Sequence, residues 1–528
     1  MAILDEGSRP LGPWSVPHPH LRPTWGVSIP PNSADTETSE IFSSSRHALG
    51  FYRCVANTCR YSVPLARLRG RAIRQVFETA LASVVLAIPS LSVGIVGEDS
   101  SSPQFVQRPS INLGDHLEYL EAGGDSGTRE VNLLNLLENQ HDQLWLDVEH
   151  RPAWKLTLVV RDVTPKNGVL VLDAVFAVHH AIADGRSTAL FHARLLEELN
   201  RPQADPPAQL PGGILDITGN RRLVPPQEQL VKFTTSWSFL VRTLWRELGP
   251  AWFQGPQDAT PWSGQPITRE PCRTRLRLVV IPAATVPLVL AACRAHRTTL
   301  TPFLHALALA SFASRVPAEA AEAFRSSTPI DLRPFISKDG SPPSGNRGRF
   351  GMFVSGHFQT YDSSTITALR EGLSEDKIWR AAADLRRDMK QHLENVPRDD
   401  IMGMLGYVSD WQKFWLSKVG KRRQDTWEVS NIGSMPGGHG RGVAEETTES
   451  WTIERSIMSQ GATVAGAAVS ISVAGIAEGE ISLALGWQEG TIETSMVDGL
   501  AEDLGAWLGR LGRGQPLVEQ EQGRRNSR

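Results

Sequence analysis

The chain has 528 residues, with 54 Lys and Arg against 57 Asp and Glu and a formal net charge of −3. That length exceeds what one hydrophobic core serves, so two domains are expected, and the near-cancelling charges give no footprint for nucleic acid. Four cysteines with no CxxC spacing form neither a zinc pattern nor a disulfide framework, which points to a reducing, cytoplasmic setting with Cys54 and Cys59 as packing residues.

Residues 1–45 read as an irregular arm, since seven prolines up to Pro31 deny both helix and central strand and leave no apolar core for a secretory leader. The apolar tracts Ala80–Gly97 and Val464–Ala477 are too short and too interrupted to span a membrane. Residues 46–225 form the expected N-terminal half. In it, Leu65–Ala87 has apolar residues at helical spacing and a stop at Pro89, followed by a strand at Leu91–Val96. After Gly123–Ser126, residues Gly127–Glu130 continue a polar loop instead of opening an apolar helix. Leu156–Val160 and Val169–Val178 read as a hairpin around the Pro165–Gly168 turn signal. Ser187–Leu199 has the three- and four-residue apolar spacing of a helix.

After the proline-rich stretch Pro202–Pro226, residues 226–272 form a connector with an amphipathic helix over Phe233–Leu248. Its stripe is expected to pack on its own protein or cover a cleft, with peripheral membrane contact as the rarer use. Residues 273–512 form the second half: a strand at Leu276–Ile281, helices at Ala284–His296 and Pro302–Val316, a strand edge at Thr328–Pro334 and strands at Val469–Val473 and Ile481–Trp487. His305 reads as core, and Asp331 and Arg333 as a brace for the domain boundary. Residues 513–528 are a polar tail.

The chemistry concentrates at His179-His180-Ala181-Ile182-Ala183-Asp184-Gly185, between the second hairpin strand and the next helix. Side chains alternate along a strand, so only one of the two histidines can face a given cleft, and His180 lies on the side of Leu172, Phe176 and Val178. An imidazole at a strand end is held rigidly and can accept a proton near neutral pH, as a general base must. Asp184 is placed to cap the helix or to hold an arginine that fixes the loop, Gly185 to permit the sharp backbone path, and His179 to support the loop. By composition alone, an HxxxD is expected about once in a chain this size. This is the one instance here, and it falls at a strand-to-helix turn.

Further on, Val429-Ser430-Asn431-Ile432-Gly433 reads as a strand entering a glycine turn. Ser430, Asn431 and Gly433 are candidates to bind substrate or stabilise an oxyanion, against the alternative of a turn that satisfies itself. Lys421-Arg422-Arg423 is either a solvated charge run or a site for cofactor phosphates. No GxSxG, GxxxxGK[ST], HExxH or GxGxxG occurs in the context those chemistries need, and no metal site is expected.

HHAIADGRS resembles the active-site signature of the CoA-dependent acyltransferase superfamily. LGFYRCVANTCRYSVP (Leu49–Pro64), QHDQLWLDVEHRPAWKLTLVV (Gln140–Val160), TPIDLRPFI (Thr328–Ile336), VSNIGSM (Val429–Met435) and LALGWQEG (Leu483–Gly490) are, in that order, similar to its fungal alcohol acetyltransferase branch. The resemblance implies an α/β fold of two chloramphenicol-acetyltransferase-like halves, mixed sheets with flanking helices, and an active-site channel between them. It also implies direct acyl transfer from acetyl-CoA or another acyl-CoA to a small-molecule alcohol, with His180 as base, Asp184 as loop holder, no tightly bound cofactor and a monomeric enzyme. The alternatives are a condensation-type enzyme served by a carrier protein and a non-catalytic binding module.

Overall fold

A computed structural model describes residues 9–10, 33–35, 38–161, 168–201, 210–219, 222–248, 260–336, 348–438 and 450–518. Two six-stranded mixed sheets form the frame, giving the expected fold class. The first runs, in spatial order, β1 (Arg9–Pro10), β7 (Leu117–Glu121), β8 (Trp154–Val160), β9 (Val169–Val178), β3 (Val55–Pro64) and β15 (Thr452–Gln460). The second runs β11 (Thr274–Ile281), β17 (Ile481–Gln488), β16 (Val469–Ile476), β14 (Trp427–Met435), β12 (Phe324–Asp331) and β13 (Val354–Tyr361). Two small sheets join β2 (Ser33–Asp35) to β5 (Gln104–Gln107) and β4 (Val93–Val96), and β10 (Ile214–Asp216) to β6 (Ser110–Asn112).

The division into sequential halves needs one amendment. β15 comes from the second half of the chain but pairs antiparallel with β3 over Thr452–Gln460, completing the first sheet. The chain therefore crosses back to finish the first lobe, and the crossing strand brings second-half side chains to the lobe junction.

Helices cover the sheets where their apolar spacing dictates. α1 (Thr38–Ala48) lies in part within the stretch expected to be an irregular arm. The prolines end at Pro31, and nothing in residues 38–48 opposes a helix. The expected helix at Leu65–Ala87 is divided into α2 (Leu65–Leu68) and α3 (Ile73–Ala87), because Arg69 and Gly70 take left-handed φ values of 49° and 77°. The Gly123–Ser126 stretch does open a helix, α4 (Ser126–Asp142), correcting the loop expectation: the Asp125 carboxylate accepts the Thr128 N–H at 2.8 Å and caps it. α5 (Gly185–Asn200) packs with α3 on the first sheet, and Phe176 of β9 stacks on Phe191 of α5 at 3.6 Å between centroids.

A short α6 (Gln227–Leu230) precedes α7 (Trp237–Leu248), which begins four residues later than expected because Thr234 is taken by a parallel bridge to Arg398. Of its expected stripe, Phe233 and Leu240 are half-buried while Trp237 and Val241 are exposed. In the second lobe, α8 (Val286–Ala295) flanks α9 (Leu300–Arg315), which is buried nearly all round, as its uninterrupted apolar run demands. His305 of α9 is a core residue, satisfied by Thr328 Oγ1 at 2.8 Å and the Trp427 indole N–H at 2.9 Å. No helix among the described residues is long and apolar enough to cross a membrane. Of the expected Pro165–Gly168 turn, all but Gly168 lies outside the described residues.

Candidate active site

β9 ends at Val178, and the two histidines that follow diverge. His179 is fully buried and its Nε2 lies 2.8 Å from Glu98 Oε1, while its Nδ1 accepts the Ala181 backbone N–H at 3.0 Å. His47 of α1 meets the same carboxylate through Nδ1 at 3.0 Å and accepts the Trp145 N–H on Nε2 at 3.1 Å. These three residues are close enough to suggest a metal site. Their tautomers argue otherwise. A backbone N–H takes the lone pair on the far nitrogen of each ring, so each near nitrogen carries the proton it donates to Glu98, leaving no lone pair for a cation. Burial favours the neutral acid in Glu98, but hydrogen bonds from His179 and His47 outweigh it and hold the carboxyl at about 2. The cluster is a hydrogen-bonded brace behind the turn.

His180 points to the other side, partly exposed, with its ring edge-on to Tyr52 at 5.3 Å between centroids. Its Nδ1 is buried and meets no partner in hydrogen-bond geometry. Burial first, and the Arg46 charge second, push the imidazole down to about 4, against a smaller upward pull from Asp184 and from the histidine's own backbone. The ring is neutral at physiological pH and has a lone pair to offer.

Asp184 does not touch the ring. Its carboxylate caps α5 by accepting Ser187 N–H at 2.8 Å, accepts Phe353 N–H at 3.0 Å, and takes two N–H bonds from Arg333, at 2.9 Å and 3.0 Å. Arg333, at the end of β12 in the second lobe, also donates to Asp331, to the Ser187 hydroxyl and to the Arg349 carbonyl, and has no exposure. Gly185 does not serve a sharp backbone path, since its φ is not in the left-handed region. It is needed for close approach: a Cβ there would meet Met458 Cε of β15 at 2.6 Å and Ile432 Cγ2 of β14 at 3.0 Å. The turn is thus pressed against strands from the second half of the chain, and Arg186 fastens it by donating to the Ile432 carbonyl at 3.1 Å.

On β14, two of the three oxyanion candidates are committed elsewhere. The Asn431 amide donates to Thr301 Oγ1 at 3.0 Å and accepts Gly433 N–H at 2.8 Å, so the turn satisfies itself, with Gly433 at φ 79°. Ser430 is the remaining candidate. It is buried, and its hydroxyl has no hydrogen-bond partner among the described residues. Of the three basic residues expected at cofactor phosphates, Arg423 is corrected to a core residue: its guanidinium is spent on the Thr463 and Gly466 carbonyls, Gln488 and Thr491. Lys421 and Arg422 are exposed.

Glu98, Tyr52 and Arg46 were not singled out from the sequence. Glu98 sits in a polar loop with nothing to mark it. Glu428 did carry a signal: an acidic residue two positions before Ser430, and so on the same face of a mostly buried strand.

The two-lobed α/β frame is the fold of acetyltransferase and condensation-domain structures. The trichothecene 15-O-acetyltransferase TRI3 of Fusarium sporotrichioides superposes with a TM-score of 0.64 at 13% identity, covering 91% of this chain and 95% of that one. The condensation domain of the monacolin K polyketide synthase MokA gives 0.54 at 12%, covering 92% and 99%. In sequence, the chain is 30% identical over 479 residues to a probable alcohol acetyltransferase, FCK4, of Fusarium pseudograminearum, covering 90% of this chain and 94% of that protein. It is 25% identical over 490 residues to another, crmB, of Aspergillus fumigatus, covering 89% and 97%. Residues 122–499 match the family model for alcohol acetyltransferases. The chain belongs to that family and is an acetyltransferase.

Proposed function

We propose that the protein moves an acetyl group directly from acetyl-CoA to a hydroxyl of a small-molecule alcohol, with His180 as general base. One observation carries the reading: a neutral, partly open imidazole at the lobe junction, in a turn locked from behind by Glu98 and from the side by the Asp184–Arg333 pair. The acceptor hydroxyl gives its proton to His180 as its oxygen attacks the thioester carbonyl. The tetrahedral oxyanion, stabilised by a donor such as the Ser430 hydroxyl, collapses with cleavage of the C–S bond. The departing thiolate recovers the proton from the imidazolium, leaving ester and free CoA. The transfer is direct, and the scheme includes no acyl-enzyme.

His180→Ala tests the assignment. Loss of general base catalysis is worth about 10²- to 10⁴-fold, read as thiol release from acetyl-CoA in the presence of an alcohol acceptor. An unchanged rate removes His180 from the chemistry. Transfer from an acylated carrier protein but not from acetyl-CoA shifts the donor to the condensation-type alternative.

A further inference from the structure

Beside His180 lies Arg46, and beyond the intervening Tyr52 and Gln460 lies Glu428, two charged side chains that the transfer chemistry leaves unused. The Arg46 guanidinium, in the last turn of α1, sits 4.3 Å from the Phe42 ring centre, 5.0 Å from Tyr52 and 5.9 Å from Trp415. Among the described residues it donates to Ser43 Oγ at 3.4 Å, has no carboxylate at ion-pair distance, and keeps Nε buried without a partner. Burial lowers it to about 10, with Tyr52 and Glu428 pulling it back up. On the facing strand, β14, Glu428 Oε1 accepts a hydrogen bond from Gln460 Nε2 at 2.9 Å, and Gln460 Oε1 accepts from the Tyr52 hydroxyl at 3.3 Å. Glu428 Oε2 has no hydrogen-bond partner among the described residues. Tyr52 therefore connects the groups: its ring faces both His180 and Arg46, and its hydroxyl reaches the Gln460–Glu428 pair.

A guanidinium only donates hydrogen bonds and an ionised carboxylate only accepts them, whereas a hydroxyl does both. Arg46 and Glu428 influence each other's charge without meeting. Arg46 Nε is buried without a partner, a costly arrangement unless something polar completes it, and Glu428 Oε2 is left open to accept a further hydrogen bond. A hydroxyl between them accepts from Arg46 and donates to Glu428. A purely apolar alcohol leaves both unmatched.

We propose that Glu428 and Arg46 hold a second hydroxyl of the acceptor while His180 takes the proton of the first, so that the substrate is a diol or polyol and not a simple alkanol. This rests on the acyl-transfer reading above. Glu428 is a specificity residue in this scheme, kept in place by Gln460.

The test compares the full-length protein with Glu428→Gln and Gln460→Leu, using acetyl-CoA and matched pairs of acceptors that differ by one hydroxyl, cyclohexanol against trans-cyclohexane-1,2-diol and longer-chain equivalents. Thermal melting of each variant separates lost folding from lost recognition. A hydrogen bond to a charged group supports a preference for the diol of about ten- to a hundredfold in kcat/KM. That preference is expected in the wild type, expressed in KM, and expected to fall toward one in both folded variants. A wild type with no diol preference, or a preference that survives Glu428→Gln, overturns the inference and leaves the transfer chemistry standing. No thiol release with any hydroxyl acceptor overturns the acyl-transfer reading and this inference with it.

Discussion

Arg333 and Asp184 meet across the lobe junction through two roughly parallel N–H···O bonds of 2.9 Å and 3.0 Å, both side chains almost wholly removed from water. Burial pushes the Asp184 carboxyl up, but the Arg333 charge and hydrogen bonds and the Ser187 and Phe353 N–H groups outweigh it and hold the group below its ordinary 3.8. A carboxyl depressed on folding contributes stability above its unfolded pKa, and that contribution is lost as pH falls through the lower folded value. Asp184→Asn removes the buried one of the two counter-charges on Arg333 and leaves the half-exposed Asp331 at 3.0 Å, a change that costs up to about 3–5 kcal/mol. The variant is expected to melt well below the wild type at pH 7, with the difference narrowing below about pH 4. An unchanged melting temperature at neutral pH contradicts the clamp.

His180 titrates far from a free histidine. With the ring held near 4, chiefly by burial and then by Arg46, the acid limb of kcat/KM is expected there and not near 6.5. Arg46→Met removes the second cause while keeping a long side chain in the aromatic cage. Its acid limb is expected to move up toward neutrality. A wild-type inflection near 6.5, measured under single-substrate saturation with acetyl-CoA, removes the electrostatic account of this base.

Much of the frame is legible in the sequence because local pattern and tertiary demand agree. Val169–Val178, β-branched and aromatic between a glycine and a turn, is a strand with those bounds, and the apolar α9 is buried as its composition requires. Three of the failures share a cause: a non-local partner decided the outcome. β15 has only Ile453, Ile457 and Met458 as apolar residues, and nothing within it says that it will leave its own half to pair with β3. Arg423 stands in a charge run of the kind that normally faces water, yet it turns inward because Gln488, Thr491 and two carbonyls satisfy it there. Asn431 has the right chemistry for an oxyanion, but Thr301 and Gly433 use its amide first.

The close approach at Gly185 makes a reciprocal prediction. A methyl group added there runs into the Met458 terminus at 2.6 Å and Ile432 at 3.0 Å. Overpacking of this kind costs about 1–3 kcal/mol, moderated here because the thioether end can swing aside. Shortening the obstacle makes room, so Gly185→Ala combined with Met458→Ala is expected to be more stable than the sum of the two single changes. A double-mutant cycle on denaturant midpoints reads this as a favourable coupling energy. Strict additivity means that Gly185 is not held by contact with β15.

Glu98 accepts from two histidine N–H groups, and both of those protons are placed by backbone donors on the far side of each ring. Glu98→Gln keeps the shape but loses the charge both imidazoles donate to: one oxygen remains, at the Oε1 position that both N–H groups reach, and an NH₂ group stands at Oε2, where it faces the His47 N–H. The expected loss is about 1–3 kcal/mol of stability, together with a lower kcat because His179 adjoins the base. Metal should have no influence: with the two inward nitrogens protonated, neither added Zn²⁺ nor a chelator is expected to change the wild-type rate or melting temperature. Stabilisation by Zn²⁺ at micromolar concentration that disappears in Glu98→Gln requires the opposite tautomers, with the His47 and His179 lone pairs turned inward and the Trp145 and Ala181 N–H groups left without acceptors.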